Sequence, residues 1–262
     1  LIEGLEESRV TPVLEGIKNI PDGKIKSEKI DDKTAELELF IKGLGLKFNE
    51  ISRKIEKDGE PLTDRDLNSV YVRAMHSIDH NISKQKLIDM MDSDVVPMYN
   101  PFKEFFKNNK DRKPKGLIKE LIDCFDYNKP DLDQSELTEE EKKLDYLSYF
   151  LEKWLISIVA SMNGTYSLLV LVLTGKHGNG KSNFFRKLLP DELHKYYAES
   201  KLDKDKDDGI LMPQKLLLLD DEFSGKSKRE AAKFKEISSR DMFTVRKPYG
   251  RSFEDLKRYA VL

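Results

Sequence analysis

The 262-residue sequence predicts an α/β protein with a doubly wound core on a parallel sheet, preceded by a mostly α-helical region. Three observations predict it. Residues 168–173 are uniformly apolar, as a strand covered on both faces is. A glycine-rich octapeptide at 175–182 joins that run to a helix-like stretch. A second apolar run, 216–219, ends in three consecutive acids, and a third begins at Tyr259.

The first 35 residues are charged and turn-rich, with Pro21-Asp22-Gly23 and Asp31-Asp32-Lys33 as punctuation, and read as a linker or lead-in. Leu37, Leu39 and Ile41 alternate like a strand, and a segment from Phe48 to Ile55 ends at the Asp58-Gly59 turn. Helices then take over. Asp64 can cap one carrying Leu67, Val70, Tyr71 and Met75, and Ser83 a second carrying Leu87, Met90 and Met91. Pro101 can open a short helix through Phe102, Phe105 and Phe106, three rings better suited to a core than to base stacking. Residues 116–125 are amphipathic, with Cys124 expected among their inward side chains. Thr138 and Glu141 form a capping box for a helix whose apolar stripe runs Leu144, Leu147, Leu151, Trp154, Leu155 and Ile158. In the core, Tyr196 to Glu199 can supply a further strand, and 201–208 reads as an exposed loop. These divide the chain into a lead-in at 1–46, a helical accessory region at 47–165 and an α/β core at 166–262 that is incomplete at its C-terminal side.

Composition narrows the function. With 38% apolar residues the chain can bury a sizeable core. A net charge of −2 from 46 basic and 48 acidic residues gives no global attraction to nucleic acid, so such binding needs local patches. The single cysteine excludes an internal disulfide and fits a reducing, cytoplasmic setting. Residues 154–173 form the one long apolar stretch, but Ser157, Ser161, Asn163, Gly164, Thr165 and Ser167 interrupt it, so no membrane partner is expected.

The octapeptide Gly175-Lys176-His177-Gly178-Asn179-Gly180-Lys181-Ser182 is a complete G-x-x-x-x-G-K-S phosphate loop. Wrapping a triphosphate requires backbone N–H groups pointing inward, so Gly175, Gly178 and Gly180 supply positions where φ > 0 carries no Cβ penalty. Lys181 is expected to reach the β- and γ-phosphates of ATP, Ser182 to hold Mg²⁺, and the following helix to add its N-terminal partial charge. His177 is expected to face solvent, with its backbone contributing to binding.

Hydrolysis also needs a carboxylate near the metal and a group that positions the attacking water. Residues 216–223 place Asp220, Asp221 and Glu222 at the end of a buried strand, where side chains alternate faces. One register gives Asp220 to Mg²⁺ and Asp221 to water; the other, which we prefer because glutamate reaches farther, gives Asp221 to Mg²⁺ and Glu222 to water. Downstream, residues 224–258 hold eleven Lys/Arg against five Asp/Glu. The run Phe243-Thr-Val-Arg-Lys-Pro-Tyr-Gly-Arg251 reads as a hairpin presenting Arg246, Lys247 and Arg251 beside Tyr249, chemistry suited to single-stranded DNA with a stacked base. His76 and His80 stand at i, i+4 without an evident third ligand and read as a surface pair.

Together, Leu-Thr-Gly-Lys-His-Gly-Asn-Gly-Lys-Ser, Tyr-Tyr-Ala-Glu-Ser, Asp-Asp-Glu-Phe and Thr-Val-Arg-Lys-Pro-Tyr-Gly-Arg resemble the virulence-associated E family. These are P-loop ATPases of phages, plasmids and other mobile elements, related to superfamily 3 helicases within the AAA+ class and often joined to a primase domain. The resemblance is close over 166–262 and looser over 47–165. It implies an AAA+-like parallel sheet, nucleotide binding at 175–182, metal and water handling by Asp221 and Glu222, a DNA-contacting hairpin at 246–251, and a homo-oligomeric ring. Such ATPases carry a polar sensor at the end of the strand that starts at Tyr259, and an arginine finger later. Neither precedes Leu262, so weak or absent turnover is expected of this chain alone. Two rivals share the loop: a nucleotide-gated interaction or assembly module without helicase activity, and a small-molecule phosphotransferase, for which no Arg-rich lid is evident.

Overall fold

A computed structural model describes residues 32–113, 115–125, 146–202, 205–221, 226–246 and 253–262. The fold is mixed α/β with small sheets. The chain begins with α1 (Asp32–Gly43), passes Gly45 at φ +68°, and forms β1 (Leu46–Asn49) and β2 (Lys54–Lys57), then a two-residue β3 (Glu60–Pro61). Helices α2 (Asp64–Ser77) and α3 (Lys84–Met91) follow, then β4 (Met98–Tyr99), α4 (Pro101–Asn109) and α5 (Leu117–Ile122). Helix α6 (Tyr146–Met162) leads to α7 (Lys181–Leu188), a 3₁₀ turn at Asp191–Tyr196, β5 (Tyr197–Glu199), α8 (Asp205–Gln214), β6 (Leu217–Leu219), α9 (Lys228–Ser239), β7 (Met242–Arg246) and β8 (Phe253–Lys257). Two compact units result, one of described residues 32–46 and 57–96, the other of 47–56 and 97–262.

In the first unit the strand expected at Leu37-Leu39-Ile41 is instead part of α1. Leu37 and Ile41 are buried one helical turn apart, whereas Leu39 is 69% exposed, so the operative spacing is four rather than two. Helix α2 is capped by Thr63, not Asp64, in a reciprocal box with Asp66. Ser83 caps α3 as the sequence predicts. His76 and His80 meet edge to face at 6.0 Å, and no cluster of three or more metal-ligating side chains occurs among the described residues.

The second unit is organised by a buried polar network and an apolar core. Strands β1 and β4 run parallel, pairing Phe48 with Met98 and Asn49 with Tyr99. Asn49 is fully buried. Its amide donates to Glu56 Oε1 (2.8 Å), Tyr99 Oη (3.2 Å) and Tyr196 Oη (2.7 Å), and its carbonyl accepts from the Ile51 and Ser52 amides. Glu56, also buried, accepts from Tyr99 Oη and faces Lys195 Nζ at 3.0 Å. Burial, and then the hydrogen bond to Glu56, push the Tyr99 phenol above its ordinary pKa; burial does the same to Tyr196. The adjacent core gathers Phe102, Leu151, Trp154, Ile158, Phe185, Tyr196, Leu217 and Val261. Phe102 thus serves as core, and Asn100 caps α4 with Pro101 in its first turn. Trp154 Nε1 donates to the Leu262 carbonyl at 2.9 Å, which satisfies its one buried polar atom.

Cys124 is exposed, contrary to expectation. The short α5 turns Leu121, Ile122 and Phe125 toward the core, and Cys124 Sγ instead donates to the Glu120 carbonyl. Residues 201–208 are not simply a loop either: α8 begins at Asp205, and Asp208 is buried, accepting from Ser200 Oγ at 2.6 Å. The lead-in at 1–31 and the capping box at Thr138 and Glu141 lie outside the described residues. Helix α9 opens on a second reciprocal box, Ser227 with Glu230. Ser227→Ala is expected to cost about 1 kcal/mol in denaturant unfolding; an unchanged midpoint would show that tertiary packing alone sets this helix start. No described helix is long and apolar enough to cross a membrane.

Candidate nucleotide site

Strands β5 and β6 are parallel, in register Tyr197 with Leu217, Ala198 with Leu218 and Glu199 with Leu219. On the other side of β6, Leu217 bridges in parallel to Val261. The Leu262 carbonyl in turn accepts from the Leu171 amide. Residues 168–174 therefore lie beside this group without forming the doubly covered strand that the sequence predicts. Leu168, Leu169 and Val172 remain 65%, 40% and 50% exposed, and a single bond to Leu262 is too few for a ladder. The run Tyr259 to Leu262 likewise contributes a bridge rather than a full strand.

The loop after residue 174 has the backbone that its glycines predict: Gly175, Gly178 and Gly180 all take positive φ, at +141°, +87° and +79°. Gly180 is the left-handed N-cap of α7, so Lys181 and Ser182 occupy the helix's first turn, at its positive end. Lys181 Nζ donates back to the carbonyls of Gly175 (3.0 Å) and Lys176 (2.8 Å), closing the loop on itself. Lys176, His177, Gly178 and Asn179 are exposed, His177 as expected.

Across from the loop, the acids after β6 separate. Asp221 Oδ1 accepts a hydrogen bond from Ser182 Oγ, 39 residues earlier in the chain. Asp220 Oδ2 instead stands 2.7 Å from Lys226 Nζ. Gly175, Lys181, Ser182, Asp220 and Asp221 all line one cavity of about 390 Å³, whose remaining wall is largely apolar and includes Leu171, Phe185, Phe234 and Leu262. The donor set that faces Ser182, one hydroxyl and one carboxylate, is all hard oxygen, and it fits a small divalent cation that takes its other ligands from phosphates and water. Glu222 lies outside the described residues.

Sequence reasoning missed three neighbours of this site. On α7, one turn beyond Ser182, Arg186 makes a two-pronged pair with Glu199, Nε to Oε1 at 2.7 Å and Nη2 to Oε2 at 3.1 Å. That hydrogen bond holds the Glu199 carboxyl below its usual range. Lys226, one of eleven Lys/Arg over 224–258, pairs with Asp220. The i, i+4 spacing of Ser182 and Arg186 could have signalled the first of these; nothing local signals the Lys226–Asp220 pair.

The hairpin expected at 243–251 exists as antiparallel β7 and β8, pairing Arg246 with Phe253. The Arg246 guanidinium carbon lies 5.7 Å from the Phe253 ring centroid. Lys247, Tyr249 and Arg251 lie outside the described residues. At the hairpin base, Arg258 is 1% exposed; its Nε donates to the Ala260 carbonyl at 2.7 Å and its Nη1 to that of Ser238. Burial brings its pKa down to about 10.

A family model described as the virulence-associated protein E-like domain matches residues 134–262, a span that holds the loop, both aspartates and the hairpin. This part of the chain is similar to the virulence-associated protein E-like domain. The virulence-associated protein E-like region thus contains every residue of the candidate nucleotide site, while Asn49 reaches its Tyr196 and Glu56 its Lys195 from the segment 47–56. No curated protein matches the chain.

Proposed function

We propose that the chain is the ATP-binding and ATP-hydrolysing part of a DNA helicase-type motor of a phage or other mobile element, working within a primase-helicase. The observation that carries this reading is the convergence of the phosphate loop and the acidic strand end at the Ser182–Asp221 hydrogen bond. Within this reading, the order of segments, 171 beside 262, 261 beside 217, and β6 beside β5, with parallel pairing at Leu217–Val261 and β5–β6, is compatible with a core of the AAA+ kind.

The loop amides and Lys181 would cradle the β- and γ-phosphates, with Lys181 exchanging its two carbonyl acceptors for anionic oxygens. Ser182 and Asp221 would hold Mg²⁺, which when bound neutralises charge on the transferring phosphoryl group. Asp221 would also orient Ser182 through their hydrogen bond. Glu222 follows directly and would position the attacking water for in-line displacement. The hairpin would offer Arg246, with Lys247, Tyr249 and Arg251, to single-stranded DNA, and subunits would assemble in a ring. The reading is tested by DNA-stimulated ATP hydrolysis with the longest available polypeptide; hydrolysis should require Mg²⁺ and vanish on chelation. ATP binding that is absent with and without DNA would refute it.

For the hairpin, single-stranded DNA affinity should fall with rising salt. Replacing Arg246, Lys247 and Arg251 together by Ala should flatten the log–log salt slope by about 2, each lost phosphate contact being worth roughly 0.7. A slope that does not change would remove the hairpin from the DNA path.

A further inference from the structure

We propose that Lys226 is a positioning residue of the nucleotide site: by engaging Asp220, it leaves Asp221 as the carboxylate presented to Ser182. The inference rests on the functional reading above and assigns roles within that same site.

Asp220 and Asp221 follow β6 directly, and their side chains meet different partners. Asp221 meets Ser182, and Asp220 meets Lys226 at 2.7 Å. The Asp220–Lys226 pair is withdrawn from water, with side chains 7% and 8% exposed, so it is screened little by salt. Lys226 is held from several directions at once. Its Nζ also donates to the Lys201 carbonyl and lies 5.9 Å from the Phe234 ring centroid. Its backbone runs straight into Ser227, the N-cap of α9. Asp220 and Phe234 both line the cavity, so this ammonium group sits just behind the wall that faces the phosphate loop.

The physical consequence is a division of labour between two adjacent carboxylates. Removing one member of a buried pair leaves the other's charge uncompensated. Without Lys226, the Asp220 charge would act on any cation beside Asp221 and would compete with Asp221 for it. With Lys226, the site presents one carboxylate, one hydroxyl and the loop, and the cation's remaining positions are left to phosphate and water.

The test uses the whole chain and two readouts: the Mg²⁺ concentration that half-saturates binding of a fluorescent ATP analogue, and thermal unfolding without nucleotide or Mg²⁺. Asp221→Asn should raise the Mg²⁺ midpoint about tenfold or more, and Asp220→Asn should move it less than roughly threefold. Lys226→Met should lower the midpoint, by roughly threefold, because it releases a second carboxylate; Asp220→Asn added to it should restore the wild-type value. Lys226→Arg should keep the wild-type midpoint. In unfolding, Lys226→Met should destabilise the free protein and the double variant should recover part of the loss. A purely structural lysine would instead raise the Mg²⁺ midpoint, with no rescue by Asp220→Asn, and that result overturns the inference. If Lys226→Met does not fold, the comparison of Asp220→Asn with Asp221→Asn decides, since equal shifts overturn the inference too. Wild-type protein that binds no ATP at any Mg²⁺ concentration would overturn the functional reading itself, whereas normal wild-type binding with these variants misbehaving overturns only the role of Lys226.

Discussion

Lys181→Ala is expected to weaken ATP binding by about 10- to 150-fold, the equivalent of roughly 1.5–3 kcal/mol for hydrogen bonds to a charged group. Lys181 starts α7, directly after the left-handed Gly180, so its backbone is committed to the mouth of the loop. Its Nζ rests on two neutral carbonyls, at Gly175 and Lys176. Both are weaker acceptors than phosphate oxygens, and the exchange favours the bound state. Because the loop is exposed, the same substitution should leave folding stability within about 1 kcal/mol. Binding by isothermal calorimetry, with unfolding in denaturant as the control, separates the two effects. Affinity that survives the substitution would mean that the loop does not grip a triphosphate.

The largest expected loss of stability is at Asn49. Asn49→Ala removes an amide nitrogen shared among three acceptors and a carbonyl that accepts two hydrogen bonds, at a fully buried position, and should cost about 2–4 kcal/mol. The larger part of that loss comes from the groups left behind. Glu56 would lose its buried amide donor, and the Tyr196 phenol would lose the donor that opposes its burial. Urea unfolding of the two proteins measures the difference directly. A loss below about 1 kcal/mol would show that water enters and replaces the amide, and that the network is wet rather than dry. Since Tyr196 ends the 3₁₀ turn that feeds β5, the same variant tests how firmly the segment 47–56 steadies the edge of the nucleotide site.

Local chemistry made much of this legible in advance. Glycine, proline and capping residues act within a few positions of themselves, so the positive φ angles at 175, 178 and 180, the Ser83 cap and the Pro101 start could be read directly. The errors fall where a distant partner decides. Leu37, Leu39 and Ile41 alternate as a strand does, but Leu37 and Ile41 are also one helical turn apart; their burial, with Leu39 exposed, matches the helix. Residues 168–174 have the composition of a covered strand, but strand pairing is a property of two segments, and among the described residues the backbone bond from this run to another segment is that of Leu171 to Leu262. Cys124 sits among apolar neighbours in sequence, yet α5 ends at Ile122 and Cys124 falls exposed in the turn that follows.

The glycine-rich loop, its place before a helix, and the run of acids after a buried strand were readable from residue order alone, because each is a matter of residue type and spacing over fewer than ten positions. Which aspartate faces Ser182 is settled in space, by the partners that surround the chain just after β6. The partners that make the decision, Ser182 at one end and Lys226 at the other, come from different segments of the chain. No spacing rule connects them; the packing of α7, β6 and the N-terminus of α9 brings them together.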